Sequence, residues 1–242
     1  MLLDASITSI ELLSDQEIDE MFELHGRFYD NVNKKVFYRD VREKHWVIRM
    51  YDGGGYMVGF STCGYLSLNV ASRSCIFLFS GDTIVDPKFW GASVLAGSFT
   101  KILMRMLQDF PEHELFWFLI CKGYRTYRFL PIYFREFYPV YDQPTPLEYR
   151  RFLNTVSLAK FGNHYNPQTG IISFSGKKDR LREEMCEIDS ERLHDPHIRY
   201  FFETNTNFRD GDELACITRV ARHNFKPVLF RAFNRTKVAW RE

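Results

Sequence analysis

Apolar residues recur along this chain at two periods, and the switches between them mark out most of its elements. Ile18, Met21, Phe22, His25, Phe28 and Tyr29 fall at spacings of three and four, the single stripe of an amphipathic helix over about 15–30. Ahead of it, Ser14-Asp15-Gln16-Glu17 is a capping box, in which Ser14 caps the first turn and Glu17 reaches back. A second short helix is predicted over Val36–Lys44. His45–Tyr51 and Tyr56–Val70 are rich in β-branched and aromatic residues, and Asp52-Gly53-Gly54-Gly55 between them is free to take positive φ, so the pair predicts a β-hairpin. Ser74–Val85 is a third strand, and its unbroken apolar run Cys75–Phe79 indicates burial on both faces.

Pro87 closes that strand, and the period changes again. Val94/Leu95, Phe99, Ile102/Leu103, Met106/Leu107 and Phe110 form an unbroken helical stripe that Pro111 ends. Leu115–Cys121 is a fully apolar strand broken by Gly123. Strand, helix and strand over 74–121 have the length of a parallel βαβ crossover. Tyr124–Tyr138 reads as a turn or a helix interrupted at Pro131. Beyond Pro139 the pattern weakens: a helix over Leu147–Lys160, a turn at Asn166–Gly170, a charged helical stretch at Asp179–Glu187, and a strand over Leu214–Val220.

Composition narrows the class without naming it. The 242 residues are 45% hydrophobic and 17% aromatic, with only 14 Gly and 9 Pro, which excludes disordered and low-complexity classes. Lys and Arg total 32 against 31 acidic residues, a net charge of +1 that gives no drive toward nucleic acid or an anionic membrane. The five cysteines (Cys63, Cys75, Cys121, Cys186 and Cys216) form no C-x-x-C pair and read as buried thiols of a reducing compartment. No signal peptide is visible, and no apolar run approaches the roughly 18 residues of a membrane span, so the expectation is a cytoplasmic protein.

Candidate chemistry concentrates between Gly81 and Ser93. A buried strand runs into a Pro-terminated turn, then small residues, then a helix start, where the first amides lack partners and carry the positive end of the dipole. A phosphate or pyrophosphate suits such a place, and Lys88 adds a cation. A plain crossover turn accounts for the same residues.

The order of elements over about 7–140 resembles the GNAT (Gcn5-related N-acetyltransferase) acyltransferases. Their pyrophosphate loop is often written V-x-P-x-[YF]-R-G-x-G-x-[GA], and Val85, Pro87, Phe89 and Gly91 match it. Trp90 stands for the arginine, Ser93 for the next loop glycine and Leu95 for the last small residue; a shifted register, Lys88-x-x-Gly91-x-Ser93, fits as well. Tyr133-Phe134-Arg135-Glu136-Phe137-Tyr138 is similar to the family's Y-x-[KR]-x-G-F block without its glycine.

The resemblance implies a GNAT-like mixed, mostly antiparallel sheet flanked by helices. Residues 1–140 would form the core. A C-terminal extension, 141–242, would complete the sheet and cover the acceptor side within the same domain, with a separate small domain as the alternative. It also implies transfer of an acyl group from a thioester donor, acyl-CoA or acyl carrier protein, to a small-molecule or peptide amine. Backbone donors near Ile84 and Val85 would polarise the carbonyl, Lys88, Gly91, Ala92 and Ser93 would hold the donor, and Tyr133 would protonate the departing thiolate. A tyrosine in so aromatic a chain is equally a core residue. Asp82 is the candidate base, with a turn or capping role as the alternative; His113 and Glu112 are weaker candidates, and Arg125 and Arg128 could reach donor phosphates. The rival expectation is a non-catalytic binding module whose cleft Trp90, Ser93 and Leu95 block; a hydroxyl acceptor is a third.

Other signals carry less. His25 and Asp30 match an H-x4-D pattern, but five residues of helix turn their side chains apart, which leaves His25 as helix surface or core edge. His194-Asp195-Pro196-His197 is a poor zinc site, and no metal is expected. Lys177-Lys178-Asp179-Arg180 reads as a solvated charge cluster, and the arginines and aromatics of Tyr124–Arg135 could stack on single-stranded nucleic acid only against the neutral charge balance. The polar stretch Asn205–Asp212 could cover the acceptor side.

Overall fold

In the computed structural model, which describes residues 3–174, 179–188 and 190–242, the chain opens with β1 (Asp4–Ser9), α1 (Asp15–Phe28), the two-residue β2 (Tyr29–Asp30) and α2 (Lys34–Arg42). Then come β3 (Trp46–Tyr51), β4 (Met57–Val70), β5 (Arg73–Val85), α3 (Val94–Asp109), β6 (Glu114–Cys121) and α4 (Tyr124–Tyr133). The remainder holds α5 (Leu147–Phe161), β7 (Tyr165–Asn166), β8 (Ile171–Ile172), β9 (Arg180–Leu181), α6 (Glu183–Cys186), α7 (Pro196–Thr204), β10 (Glu213–Arg219), α8 (Pro227–Arg235) and β11 (Val238–Arg241).

Local signals explain why these segments start and stop where they do. Ser14 accepts from the Glu17 amide while Glu17 accepts from Ser14 N, so the capping box forms as the sequence predicts. The β3–β4 hairpin closes through Asp52, whose carboxylate takes the Gly54 and Tyr56 amides, and through Gly55 at φ +80°. Pro131 does not interrupt α4 where the sequence allowed a break; the helix continues through it and ends two residues later at Tyr133.

Among the described residues, nine strands form one sheet in the order β11-β1-β3-β4-β5-β6-β10-β8-β7, of which only the β1–β11 and β5–β6 pairs are parallel; β2 and β9 make a separate pair. The fold is therefore a mixed, mostly antiparallel sheet flanked by helices, as the sequence implies, with the β5–α3–β6 crossover at its centre. Alternation along β6 sorts the covering helices. Phe116 and Phe118 meet Phe152 and Phe161 of α5, whereas Trp117 between them meets Phe99 of α3 and Phe129 of α4. A smaller cluster joins Ile18 and Met21 of α1 and Phe37 of α2 to Val47, Phe60 and Ile84 of β3, β4 and β5.

Residues 141–242 reach both ends of this sheet. β10 runs antiparallel to β6 and carries β8 and β7 beyond it, and β11 lies beside β1. The helix expected over Asp179–Glu187 is confined to Glu183–Cys186. Leu181 is drawn into a pairing with Tyr29, and the Arg182 amide donates to Phe28 O at 3.0 Å, which spends that backbone before a helix can start. Lys177 and Lys178 lie outside the described residues.

Candidate functional site

Two parallel strands part company at the centre of the sheet. β5 and β6 pair from Cys75↔Glu114 to Ser80↔Leu119, and from there β5 continues to Val85 bound only to β4. A β-bulge falls where they separate: Cys63 faces Ser80 and Ser61 faces Thr83, so Gly81 and Asp82 together oppose Thr62. Gly81 suits this crowding, since a Cβ there would collide with Thr62 Oγ1. The ladder also fixes which backbone groups face the gap. Asp86 N donates to Val58 O at 2.8 Å, and counting back in twos puts the N–H and C=O of Ile84 on Phe60. The amides of Thr83 and Val85 face the side that β6 has left, while Ile84, singled out in the sequence, turns its backbone toward β4.

The loop that follows is a second source of donors. Asp86 caps the Lys88 amide at 2.9 Å, Pro87–Phe89 form a single 3-10 turn, and Gly91 takes φ +88°, a conformation that favours glycine. Among the described residues, the amides of Gly91, Ser93, Val94, Leu95 and Ala96 have no hydrogen-bond partner, because α3 starts without a side-chain cap.

Gap and loop open on one cavity of about 1040 Å³, bordered by residues from both faces of the sheet. Of the sequence candidates, Asp82, Ile84, Val85, Gly91, Ala92, Tyr133, Arg125 and Arg128 border it; Lys88 and Ser93 do not. Glu112 and His113 lie before β6, at the opposite end of that strand from the cavity.

The loop end of the cavity is aromatic and cationic. Trp90 donates its Nε1 hydrogen to Val85 O at 2.9 Å, so that carbonyl is already engaged. Arg125 stands 3.6 Å from the centre of the Trp90 ring and 4.6 Å from that of Tyr124, and burial lowers its pKa. Arg128 pairs with Asp195 at 3.2 Å, which also caps the His197 amide, so His194-Asp195-Pro196-His197 is a helix start. Tyr133 packs on Phe129 at 4.5 Å between ring centres; burial raises its pKa, and its hydroxyl has no hydrogen-bond partner among the described residues.

The opposite end is a cluster of ionisable groups from distant parts of the chain. Lys122, just past β6, binds Asp179 Oδ2 at 2.7 Å and lies 3.5 Å from Glu213. Burial works against the Lys122 charge, but Glu213 and Asp179 outweigh it and hold the pKa above the usual lysine value. Burial, reinforced by the charge of Asp40, pushes Asp82 up to about 6. His25 is not at the helix surface: it is 4% exposed, with its ring between Tyr29 and Phe37 at 4.5 and 5.3 Å, and neither ring nitrogen has a hydrogen-bond partner among the described residues. Burial lowers its pKa to about 4 against the pull of Asp179. Asp30, its supposed motif partner, turns away to Arg182 at 3.6 Å. Lys160 of α5 completes this end, 4.0 Å from the centre of the Phe79 ring, with its pKa lowered by burial.

No family model matches the chain, and no curated protein matches it. Solved structures match parts of it. A probable N-acyltransferase from Enterococcus faecalis V583 is 12% identical over 53% of this chain and 31% of its own, with a TM-score of 0.41. A GCN5-related N-acetyltransferase from Kribbella flavida is 13% identical over 52% of this chain and 32% of its own, with a TM-score of 0.40. A GNAT-family N-acetyltransferase from Escherichia coli, in complex with CoA, is 14% identical over 50% and 65%, with a TM-score of 0.37. In these three the match spans from about a third to just under two thirds of the other chain. No helix among the described residues is long and apolar enough to cross a membrane.

Proposed function

We propose that this protein transfers an acyl group from a thioester donor of the acyl-CoA type to an amine. The observation that carries the reading is the meeting of two donor sets on one cavity: the strand amides at the β5–β6 gap and the unpartnered amides that open α3. The first set suits a thioester carbonyl and the arm behind it, and the second suits a pyrophosphate. The motif resemblance of Val85, Pro87, Phe89 and Gly91 supports a donor of the CoA type, with an acyl carrier protein as the alternative.

The chemistry needs few groups. The amine, once neutral, attacks the thioester carbonyl, and negative charge builds on the carbonyl oxygen beside the Thr83 and Val85 amides. Asp82, whose raised pKa makes it a stronger base than an exposed aspartate, takes the amine proton directly or through one water. The tetrahedral intermediate collapses, the carbon–sulfur bond breaks, and Tyr133 protonates the departing thiolate. Lys88 stands off the cavity wall and could meet only an outlying part of the donor. The lining residues Asp179 and Glu213 come from the C-terminal part, which supports a role for that part at the acceptor side. Five buried free thiols suit the reducing cytoplasm as the place of action.

Thermal denaturation tests the reading. A donor at about 100 times its Kd stabilises by about 2.7 kcal/mol, or roughly 5–10 °C in a chain of this length. Acetyl-CoA, a long-chain acyl-CoA and an acylated carrier protein form the panel, and the active donor is expected to lose its shift in Gly91→Glu. If none shifts the melting curve, the protein is a binding module with a closed donor cleft, a reading that the occupied Val85 carbonyl would then explain. Product analysis separates amide from ester.

A further inference from the structure

The geometry points to a divalent-cation site at the acceptor end of the cavity, held by His25, Asp82 and Asp179, with zinc as the ion best suited to one imidazole and two carboxylates. One ligand atom from each residue lies within 4.8 Å of the other two. A shared ion about 2.1 Å from each ligand needs these atoms about 3–4 Å apart, a closing of about an ångström.

An acidic cluster alone would not make a site, but His25 adds an independent observation. It is 4% exposed, borders the cavity, and has no hydrogen bond to either ring nitrogen among the described residues, with Nε2 standing 3.9 Å from Asp179 Oδ2. Burying an imidazole in that state costs free energy unless something in the cavity meets it. Tyr29 and Phe37 hold the ring from two sides, so its orientation is set before any ion arrives. With no hydrogen bond to fix the tautomer among the described residues, either nitrogen can offer its lone pair.

Lys122 is the obvious competitor, and its placement is compatible with an ion. It binds Oδ2 of Asp179 at 2.7 Å, the same oxygen that stands 3.9 Å from His25 Nε2, so an ion would share that carboxylate with Lys122 or displace it toward Glu213, 3.5 Å away. Asp40, which also borders the cavity, is bound by Lys44 at 2.6 Å. The cavity supplies open coordination positions, as at a three-ligand zinc site with exchangeable water.

This inference is independent of acyl transfer, although a bound ion would take the Asp82 lone pair and hold that reaction off. The test is isothermal titration of chelator-stripped protein with ZnCl2, together with the visible spectrum of the Co2+ form. One ion per chain is expected, and both Asp82→Asn and His25→Gln should weaken binding at least about tenfold, in the range seen when groups around a metal are removed. Circular dichroism confirms that each variant is folded, and Asp82→Asn decides if His25→Gln is not. Failure to bind one ion per chain, or binding that Asp82→Asn leaves unchanged, overturns the site. Gly91→Glu, which strikes the donor loop, should keep the metal affinity of the parent, so loss of donor binding and loss of the metal site are read separately.

Discussion

Arg125 stands over Trp90 at the loop end of the cavity, 3.6 Å from the ring centre, while the indole N–H of Trp90 is spent on Val85 O. One aromatic ring thus ties the end of β5 to the start of α4. Trp90→Ala should lower stability by about 1–2 kcal/mol through the lost hydrogen bond and the lost stacking. Trp90→Phe keeps a ring for Arg125 and should lose about half of that. Equal melting temperatures for both variants and the parent would show that the contact contributes nothing.

Gly81 is the tightest point of the bulge that opens the sheet. Gly81→Ala drives a methyl into Thr62 Oγ1 and places it 3.0 Å from Lys44 Cε, and should cost about 1–3 kcal/mol. Thr62→Ala removes the closer obstacle, so the double variant should be more stable than the two single losses imply, by at least about 0.5 kcal/mol. Strict additivity in urea unfolding would show that the bulge adapts elsewhere.

Two neighbouring groups should give stability slopes of opposite sign in acid. Asp82 titrates at about 6 in the folded chain, so its contribution favours the folded state at low pH and is lost as pH rises toward 6. His25 titrates at about 4, so its contribution is present above its unfolded value of about 6.5 and is lost as pH falls through 4. With a chelator present, the two largely cancel between about pH 4 and 6. Asp82→Asn should make the protein more acid-labile than its parent across that window, and His25→Gln should give stability that falls as pH rises. Parallel pH–melting curves for all three proteins would contradict these assignments.

Tyr133→Phe separates an acid from a packing residue. The Tyr133 hydroxyl has no hydrogen-bond partner among the described residues, and burial of the ring, rather than any bond from the oxygen, accounts for its raised pKa. The variant should therefore melt within about 1 °C of the parent. Turnover with an alkyl thioester should fall by about 100-fold or more, the scale of a lost general acid. With a nitrothiophenyl ester, whose thiolate leaves unprotonated, the loss should largely disappear. A deficit of the same size with both esters would make Tyr133 a structural residue.

The sequence carries the elements whose signals are local. The stripe from Val94 to Phe110, the apolar runs on either side of it and the glycine turn after Tyr51 each define an element within a few residues of chain, and the crossover follows from their order. Asp82 and Gly91 stand out in the sequence because they lie in that crossover, and Tyr133 because its block resembles a family motif.

The ionisable end of the cavity is not legible in the same way. His25, Asp82, Lys122 and Asp179 come from four separate segments, and no spacing links residues that only the fold brings together. His25 sits on the helical stripe that the sequence shows, but a stripe cannot tell a hydrogen-bonded imidazole from one that is not. β1 and β11 leave little trace in the pattern because each is short and pairs with the far end of the chain. The stretch after Asp179 is charged enough to suggest a helix, and contact with Tyr29 and Phe28 turns its start, Arg180–Leu181, into a strand and leaves the helix only Glu183–Cys186.

Gly97 lies one turn into α3, directly below the loop amides, and it has no side chain to hold α8 away. A Cβ there would collide with Thr236 Oγ1 and stand 2.8 Å from Ala232 O, while Lys101 reaches on to Val238 O at 2.8 Å. The tail from Pro227 onward thus acts as a splint along the helix whose first turn faces the cavity. Damage to that distant tail would blunt the pocket without touching any group that lines it.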